Sequence, residues 1–505
     1  MGLQGTSRFN RRAVKVSEAQ QRVLAAIQPL HTEKAALWQS GGRRLAEKLV
    51  ATSDWPPFAR SGLDGFAIRG ADAAQASPEH PVTLRVVDAI AAGQVARERV
   101  GPGTAVRIMT GAAVPDGADA VVMLEQTADA ELDGQPAVRV KHAAVPGQNV
   151  APPGEEFRRG SALAEPGAVI RPGHIAMLGS FGYAELPVYA RPRVAVFATG
   201  TELLPVDAPL EPGKIRDSNS AMVAAMVVQY GGEPVVMGTL PDRVDAVVEA
   251  LTAALAVADC IVTTGGVSVG DYDVMAAILS RLKQQGRNSR QACQNREGAE
   301  GTMPVGGEGA ESTMPADVEG AKPHDCDAVE RFSCDGTLLP EPESAVSPDG
   351  EDDSNRSIEA ELHSLFQDDS RVLFDKVAMR PGSPTSAMLL GGKPLFALSG
   401  NPGACFVGFE LFVRPALSRM QGDPEPLPLA VEAELTESII KGSPHERYVR
   451  AKLLMREGRV LAEPLGFGKS SMMASIPEAE ALLVVPPGSK GVSSGERVKL
   501  IPIQR

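Results

Sequence analysis

Three glycine-bearing loops, each directly after an apolar run, carry the side chains best suited to chemistry. Thr199 and Gly200, followed by Glu202, end RVAVFATG; Gly265, Gly266, Ser268 and Gly270 lie in GGVSVGDYD, which closes on Asp271 and Asp273; Ser399, Gly400, Asn401 and Pro402 form SGNP. Glycine permits positive φ and close approach of the main chain, and a helix that follows presents unpaired N–H groups, so loops of this kind cradle anions. Glu202, Asp217, Asp271 and Asp273 beside such loops would repel a phosphate. A divalent cation that prefers oxygen ligands removes the conflict, which makes magnesium the metal this pattern calls for. The constellation reads as an active cleft for a phosphate-bearing ligand.

Other chemistries fit less well. There is no GxxxxGK[ST], no GxGxxG in a strand context and no HExxH. GVSVG (266–270) matches GxSxG, but the only histidines after it are His324, His363 and His445, remote in sequence, so Ser268 reads as a hydrogen-bond donor rather than a nucleophile. The five cysteines form no close CxxC pair, and Cys260 and Cys405 read as buried apolar thiols.

The elements that must position these loops alternate. Apolar strands at 193–200, 233–240, 258–264 and 393–398 are separated by helical stretches at 220–230 and 242–255, and a further helix follows SGNP. This rhythm implies parallel strands with helical crossovers and a ligand edge at the strand C-termini. The fold class is multidomain α/β: an open, mainly parallel three-layer α/β ligand-binding domain, an N-terminal helical/β-rich region and a C-terminal β-rich domain. Residues 1–60 and 141–190 form the N-terminal helical and linking domain, with a helix at 17–27 started by Ser17 and Gln20 at capping-box spacing and a second at 34–50. Residues 61–140 form an inserted β-rich domain, 191–286 and 371–420 the α/β domain, and 421–505 the C-terminal domain, whose polar positions show no cluster of acids and bases.

Residues 287–370 are an acidic insertion. They hold 20 acidic against 6 basic residues, no Trp or Tyr and two Phe, too little apolar surface to offset the entropy of ordering, so they read as mostly disordered with a short helix near 357–366. Nearly all of the net charge of −13 over 505 residues resides there, leaving the remainder near neutral. A nucleic-acid partner is therefore not expected. No uncharged apolar run approaches the roughly 20 residues that span a bilayer, and the cysteine usage suits a reducing cytoplasm.

Beyond the loops, SGLDGFAI (61–68), RIMTGAAVPDGADAVVMLE (107–125), ATGTEL (198–203), IRDSNS (215–220), TTGGVSVGDYD (263–273), KVAMRPGSP (376–384) and SGNP (399–402) occur in an order and spacing that resemble the molybdopterin molybdotransferases, a family similar to the C-terminal domain of gephyrin. The motifs cover nearly the whole chain outside the acidic insertion. The resemblance implies a reaction in which molybdate is inserted into adenylylated molybdopterin with magnesium-assisted release of AMP. It further implies catalytic roles for Asp64, Thr110, Glu202, Asp217 and Asp273, with Glu202, Asp217, Asp271 and Asp273 organising magnesium, and substrate contacts from Ser218 and from Arg380, Pro381, Gly382 and Ser383. The family pattern KPGKP stands here as RPGSP; Arg380 keeps the charge and Ser383 does not. Gly154 to Glu156 read GEE where GED is common. A homodimer is implied, with Asp64 and Thr110 facing the partner subunit's cleft, as is transient contact with the molybdopterin adenylyltransferase and with molybdoenzymes. Two other readings stay open: adenylylation of molybdopterin, the preceding step, and a non-enzymatic scaffold that binds a partner helix or peptide.

Overall fold

A computed structural model of the chain describes residues 13–241, 243–266, 369–466, 473–488 and 490–503. Ser268, Gly270, Asp271, Asp273 and residues 287–368 of the acidic stretch, with the helix expected near 357–366, lie outside them.

The central layer is a six-stranded sheet in the order Glu233–Leu240, Arg193–Thr199, Cys260–Thr264, Lys393–Leu398, Ser386–Leu390, Arg371–Phe374. The first four strands are parallel; Ser386–Leu390 runs against them, and Arg371–Phe374, antiparallel to it, closes the edge. Strands buried on both faces read as continuous apolar runs, and RVAVFAT and CIVTT do so. The period of two is visible in the packing: Val194 and Val196 enter one core, Ala195 and Phe197 the other. Asn219–Gln229 covers the first face through Val223, Met226 and Val227, and Val244–Val257 covers the second through Val247, Val248 and Leu251.

The first helix spans Val16–Ala26 and has Lys15 as its N-cap with no side-chain cap bond, so the expected Ser17–Gln20 capping box is absent. Gln20 instead donates from Nε2 to the Leu411 carbonyl at 2.9 Å, and Val16, Ala19 and Val23 pack into the first core of the α/β layer. The helix expected at 34–50 is not formed. Thr32–Ala36 is a strand paired antiparallel with Glu185–Tyr189, Leu37–Gln39 is a 3-10 turn and Leu49–Val50 a short strand. Gly41 and Gly42 fall in the middle of that stretch, Gly42 at φ +78°, and glycine weakens a helix interior. Leu45 and Leu49 are spent instead on a small core with Ile170, Leu178, Leu186 and Val188.

The helix after SGNP runs as Pro402–Gly408, a π turn at Phe409–Val413, and Arg414–Met420. Pro415 cannot donate a main-chain hydrogen bond and its ring crowds the carbonyl four residues earlier; the wider turn just upstream absorbs both defects.

Two further sheets flank this layer. One has six strands in the order Ala120–Met123, Gly65–Ile68, Thr104–Ile108, Val82–Ile90, Gln135–Val140, Thr127–Leu132, with cores on both faces. In the other, Glu446–Arg456, Arg459–Pro464, Val431–Leu435, Arg497–Pro502 and Ala481–Val485 pair in turn, and the last pairs back to the first, closing a barrel around Ala433, Leu435, Ala462, Leu483 and Leu500. Met379–Arg380 adds a parallel strand to its rim, Arg380 in register with Arg447.

Candidate active site

Two of the glycine loops and the first residues past Thr264 meet at the C-terminal edge of the parallel strands. Gly265 donates its N–H to the Leu398 carbonyl at 3.0 Å and Thr199 Oγ1 donates to the Thr264 carbonyl at 2.9 Å. Gly265 has φ +92°, and a Cβ there would collide with the carbonyl oxygen of Thr199; a Cβ on Gly400 would lie 3.4 Å from the Gly265 Cα. Asn219, first residue of its helix, donates from Nδ2 to the Gly400 carbonyl at 2.8 Å. The sequence thus brings Thr199, Gly265 and Gly400 into mutual contact, with Gly200, Gly266, Ser399, Asn401 and Pro402 beside them.

The carboxylates are arranged less compactly than the sequence suggests. Leu203–Leu204 pairs in parallel with Ile215–Arg216, which sets Glu202 and Asp217 at opposite ends of one short ladder. The Glu202 carboxylate folds over Gly200, where a Cβ would strike it. Asp217 Oδ1 accepts the Ser220 N–H at 3.1 Å at the head of the helix, next to Ser218. Among the described residues no three of His, Cys, Asp and Glu come together as a metal site. Glu202 and Asp217 are oxygen donors of the type magnesium takes, each standing singly among the described residues. Cys405 is buried and its thiol is pushed up to about 12, by burial first and then by the negative charge of Asp217. Burial likewise raises Cys260 far above the ordinary thiol range, so neither cysteine is a nucleophile at neutral pH.

Beside this edge lies a cavity of about 530 Å³. Arg380, Pro381, Gly382, Ser383, Ser399 and Asn401 form one wall, and Lys441, Ser443, Arg447 and Arg450 from the barrel form the other. Among the described residues four cations line it and no carboxylate does. Arg450 is only 7% exposed, and burial lowers its pKa from the ordinary guanidinium value. It donates from Nε to Ser475 Oγ at 2.9 Å and from Nη1 to the Gly403 carbonyl at 3.3 Å. Ser383 Oγ donates to the Val377 carbonyl at 2.9 Å, so its hydroxyl proton is committed to its own loop.

Asp64 and Thr110 sit together on the small six-stranded sheet, and no residue of 61–140 lines the cavity. The Arg107 guanidinium, 5.0 Å above the Phe66 ring centroid, adds positive charge near Asp64.

A molybdopterin molybdenumtransferase from Bacillus subtilis (strain 168) is 37% identical to the chain over 494 residues, 98% of this chain and 95% of that one. The chain belongs to the MoeA family. Residues 14–182 match the model of the MoeA N-terminal region (domain I and II), 195–314 that of a probable molybdopterin binding domain, and 432–503 that of the MoeA C-terminal region (domain IV). A molybdopterin molybdenumtransferase of Staphylococcus aureus (strain COL) is 36% identical over 97% of this chain and 96% of its own. The crystal structure of the molybdopterin biosynthesis moeA protein from Pyrococcus horikoshii OT3 superposes with a TM-score of 0.68 at 26% identity, covering 97% of this chain and all of that one. The barrel cations of this MoeA-family chain, Lys441, Arg447 and Arg450, escaped the sequence reading. Their signal was KGSPHERYVR, three cations in ten residues.

Proposed function

We propose that this protein inserts molybdate into adenylylated molybdopterin and releases AMP. The observation that carries the reading is the cavity whose described walls hold four cations and no carboxylate, joined to glycine loops at the C-terminal edge of parallel strands. Such a site favours a tetrahedral dianion on one side and a pyrophosphate on the other, and membership of the MoeA family supplies the chemistry to test.

The reaction balances without a redox partner. The pyrophosphate P–O bond breaks and one molybdate oxygen ends on the phosphorus of AMP. The two dithiolene sulfurs bind molybdenum, and their protons leave with a second molybdate oxygen as water, so molybdenum remains in its highest oxidation state. Arg380, Lys441, Arg447 and Arg450 would neutralise the oxyanion charge, while the Thr199, Gly265 and Gly400 loops hold the pyrophosphate by main-chain N–H groups. Glu202 and Asp217, with Asp271 and Asp273, are proposed to hold magnesium, which when bound draws charge from the bridging oxygens. Ser218, Ser268, Gly270 and Pro402 belong to the same proposed substrate surface.

The remaining parts of the proposal concern organisation. Units at 1–60 with 141–190, at 61–140, at 191–286 with 371–420, and at 421–505 are proposed as separate domains. A homodimer would let Asp64 and Thr110 complete the partner subunit's cleft, which accords with their absence from the cavity wall of their own chain. Among the described residues no helix is long and apolar enough to cross a membrane, and a cytoplasmic setting is proposed.

The test is direct: purified protein receives adenylylated molybdopterin, molybdate and magnesium, and AMP and finished cofactor are quantified. Molybdate-dependent release of AMP with matching cofactor is expected. In a parallel reaction with molybdopterin and ATP, consumption of ATP without any molybdate-dependent AMP release in the first would identify the adenylylation step instead, and ligand binding without turnover a scaffold.

A further inference from the structure

Within the cavity the cations are not equivalent. Arg450 is engaged with Ser475 and Gly403, and Arg447 donates from Nη1 to the Lys441 carbonyl at 2.6 Å. That last bond ties the main chain of Lys441 to a residue that stands in strand register with Arg380, and all three line the cavity. The ammonium of Lys441 has no hydrogen-bond or ion-pair partner among the described residues.

The segment carrying Lys441 is held at both ends. Ile439 and Val492 exchange main-chain bonds at 2.7 and 3.1 Å, and Ser443 and Gly488 exchange two at 2.8 Å. Gly491, at φ +72°, lets the two segments approach so closely that a Cβ there would collide with the Ile439 carbonyl. Between these bridges Ile439, Lys441, Gly442 and Ser443 line the cavity, while Ile440 turns away and is 85% exposed. Lys441 thus borders the cavity with an exposed side chain on an anchored support, and the same cavity is lined by Ser383, which brings no charge and spends its hydroxyl proton on Val377.

We propose that Lys441 is a binding residue that sets the affinity of this cavity for a tetrahedral dianionic oxyanion, providing from the barrel the charge that position 383 lacks. The proposal rests on the cavity being the oxyanion site of the reaction above. An unpaired ammonium facing a dianion gains two charge–charge attractions, in a setting only partly screened by water.

The experiment titrates the full-length protein with molybdate alone by calorimetry, in wild type, Lys441→Ala, Lys441→Arg and the double variant Lys441→Ala/Ser383→Lys. Loss of Lys441 is expected to weaken binding roughly tenfold and to flatten its dependence on salt, because an exposed charge pair is the part that salt screens. Lys441→Arg should stay within about threefold of wild type, and Ser383→Lys should recover part of the loss from the opposite wall. In turnover, Lys441→Ala should raise KM for molybdate with little change in kcat, the signature of lost uniform binding. Molybdate affinity and salt slope unchanged in Lys441→Ala would overturn the role of Lys441 and leave the cavity assignment standing. Failure of the wild-type protein to bind molybdate would overturn both.

Discussion

Arg450 Nη1 donates to the main-chain oxygen of Gly403 at 3.3 Å, so a guanidinium rooted in the barrel touches the first turn of the helix that follows SGNP. Its Nε is meanwhile held by Ser475. A lysine would keep the charge and lose the planar fork that serves both partners at once. Arg450→Lys is expected to lower kcat/KM for molybdate-dependent AMP release by about 10- to 100-fold while the protein remains folded by circular dichroism. A rate within about threefold of wild type would show that charge alone suffices there.

Asp64 should be ionised throughout the neutral range. Its Oδ1 accepts both the N–H and the hydroxyl of Thr110, each at 2.7 Å, and these bonds, with a smaller contribution from Arg107, hold its carboxyl below the usual carboxylate value. A depressed folded-state pKa means that the benefit of ionisation is present above the ordinary carboxylate value and is lost only as pH falls through the folded one. Thr110→Ala removes the hydroxyl but leaves the main-chain bond, the largest cause. Carbon NMR titration should show Asp64 moving up part of the way toward the ordinary value; a full return would mean that the main-chain bond is not formed in solution.

Glu410 offers a stability test away from the site. It lies in the π turn at 0% exposure, accepting from Tyr230 Oη at 2.8 Å and from Arg414 Nη1 at 2.9 Å. Burial raises its pKa, opposed by Arg414 and Tyr230. A raised carboxyl pKa means that stability declines as pH climbs through that raised value. Glu410→Gln should flatten this decline, whereas Glu410→Ala should cost about 3 kcal/mol by opening a buried gap and removing the carboxylate from Arg414, which keeps the Pro502 carbonyl, and from the Tyr230 hydroxyl. Denaturant unfolding at several pH values measures both, and an alanine variant as stable as wild type would refute the account.

The acidic stretch is expected to be dispensable for chemistry. Joining Gln285 to Ser370 removes most of a segment with 20 acidic and 6 basic residues, after which Arg371–Phe374 re-enters at the sheet edge against Ser386–Leu390. The shortened protein should unfold cooperatively and retain molybdate-dependent AMP release. Loss of cooperative unfolding would show that the segment is part of the fold.

If the site is shared between subunits, two inactive variants should rescue one another. Asp64→Ala mixed with Glu202→Ala, after controlled dissociation and reassociation, would give heterodimers with one doubly damaged site and one intact site. Activity should return to at most about half that of wild type per dimer. Verified heterodimers with no recovery would place each complete site within one chain.

What could be read from the sequence follows a physical divide. RVAVFAT and CIVTT were legible as buried parallel strands because burial on both faces demands unbroken apolar composition. Lys34 to Val50 misled because apolar residues at helix-compatible spacing serve a core built from a strand and turns, and the Gly41–Gly42 pair weighed too little in that reading. The π turn before Pro415 is invisible to a 3.6-residue period. Lys441, Arg447 and Arg450 are illegible for another reason: a cation in a β-rich stretch looks like any solvated edge until its neighbour is known, here Arg380, distant in sequence but in strand register with Arg447.

The strand Met379–Arg380 belongs to the barrel by hydrogen bonding but precedes the helix Pro402–Gly408 in the chain. Chain order and spatial order therefore disagree at this joint, and a cut in the linker at 421–430 would part the barrel from one of its own strands. A chimera that exchanges residues 431–503 for those of a relative would set a foreign edge against Arg380. Recombination is expected to yield working proteins only when residues 376–384 travel with the C-terminal segment, so two stretches of the gene separated by two strands and a helix are inherited as one unit.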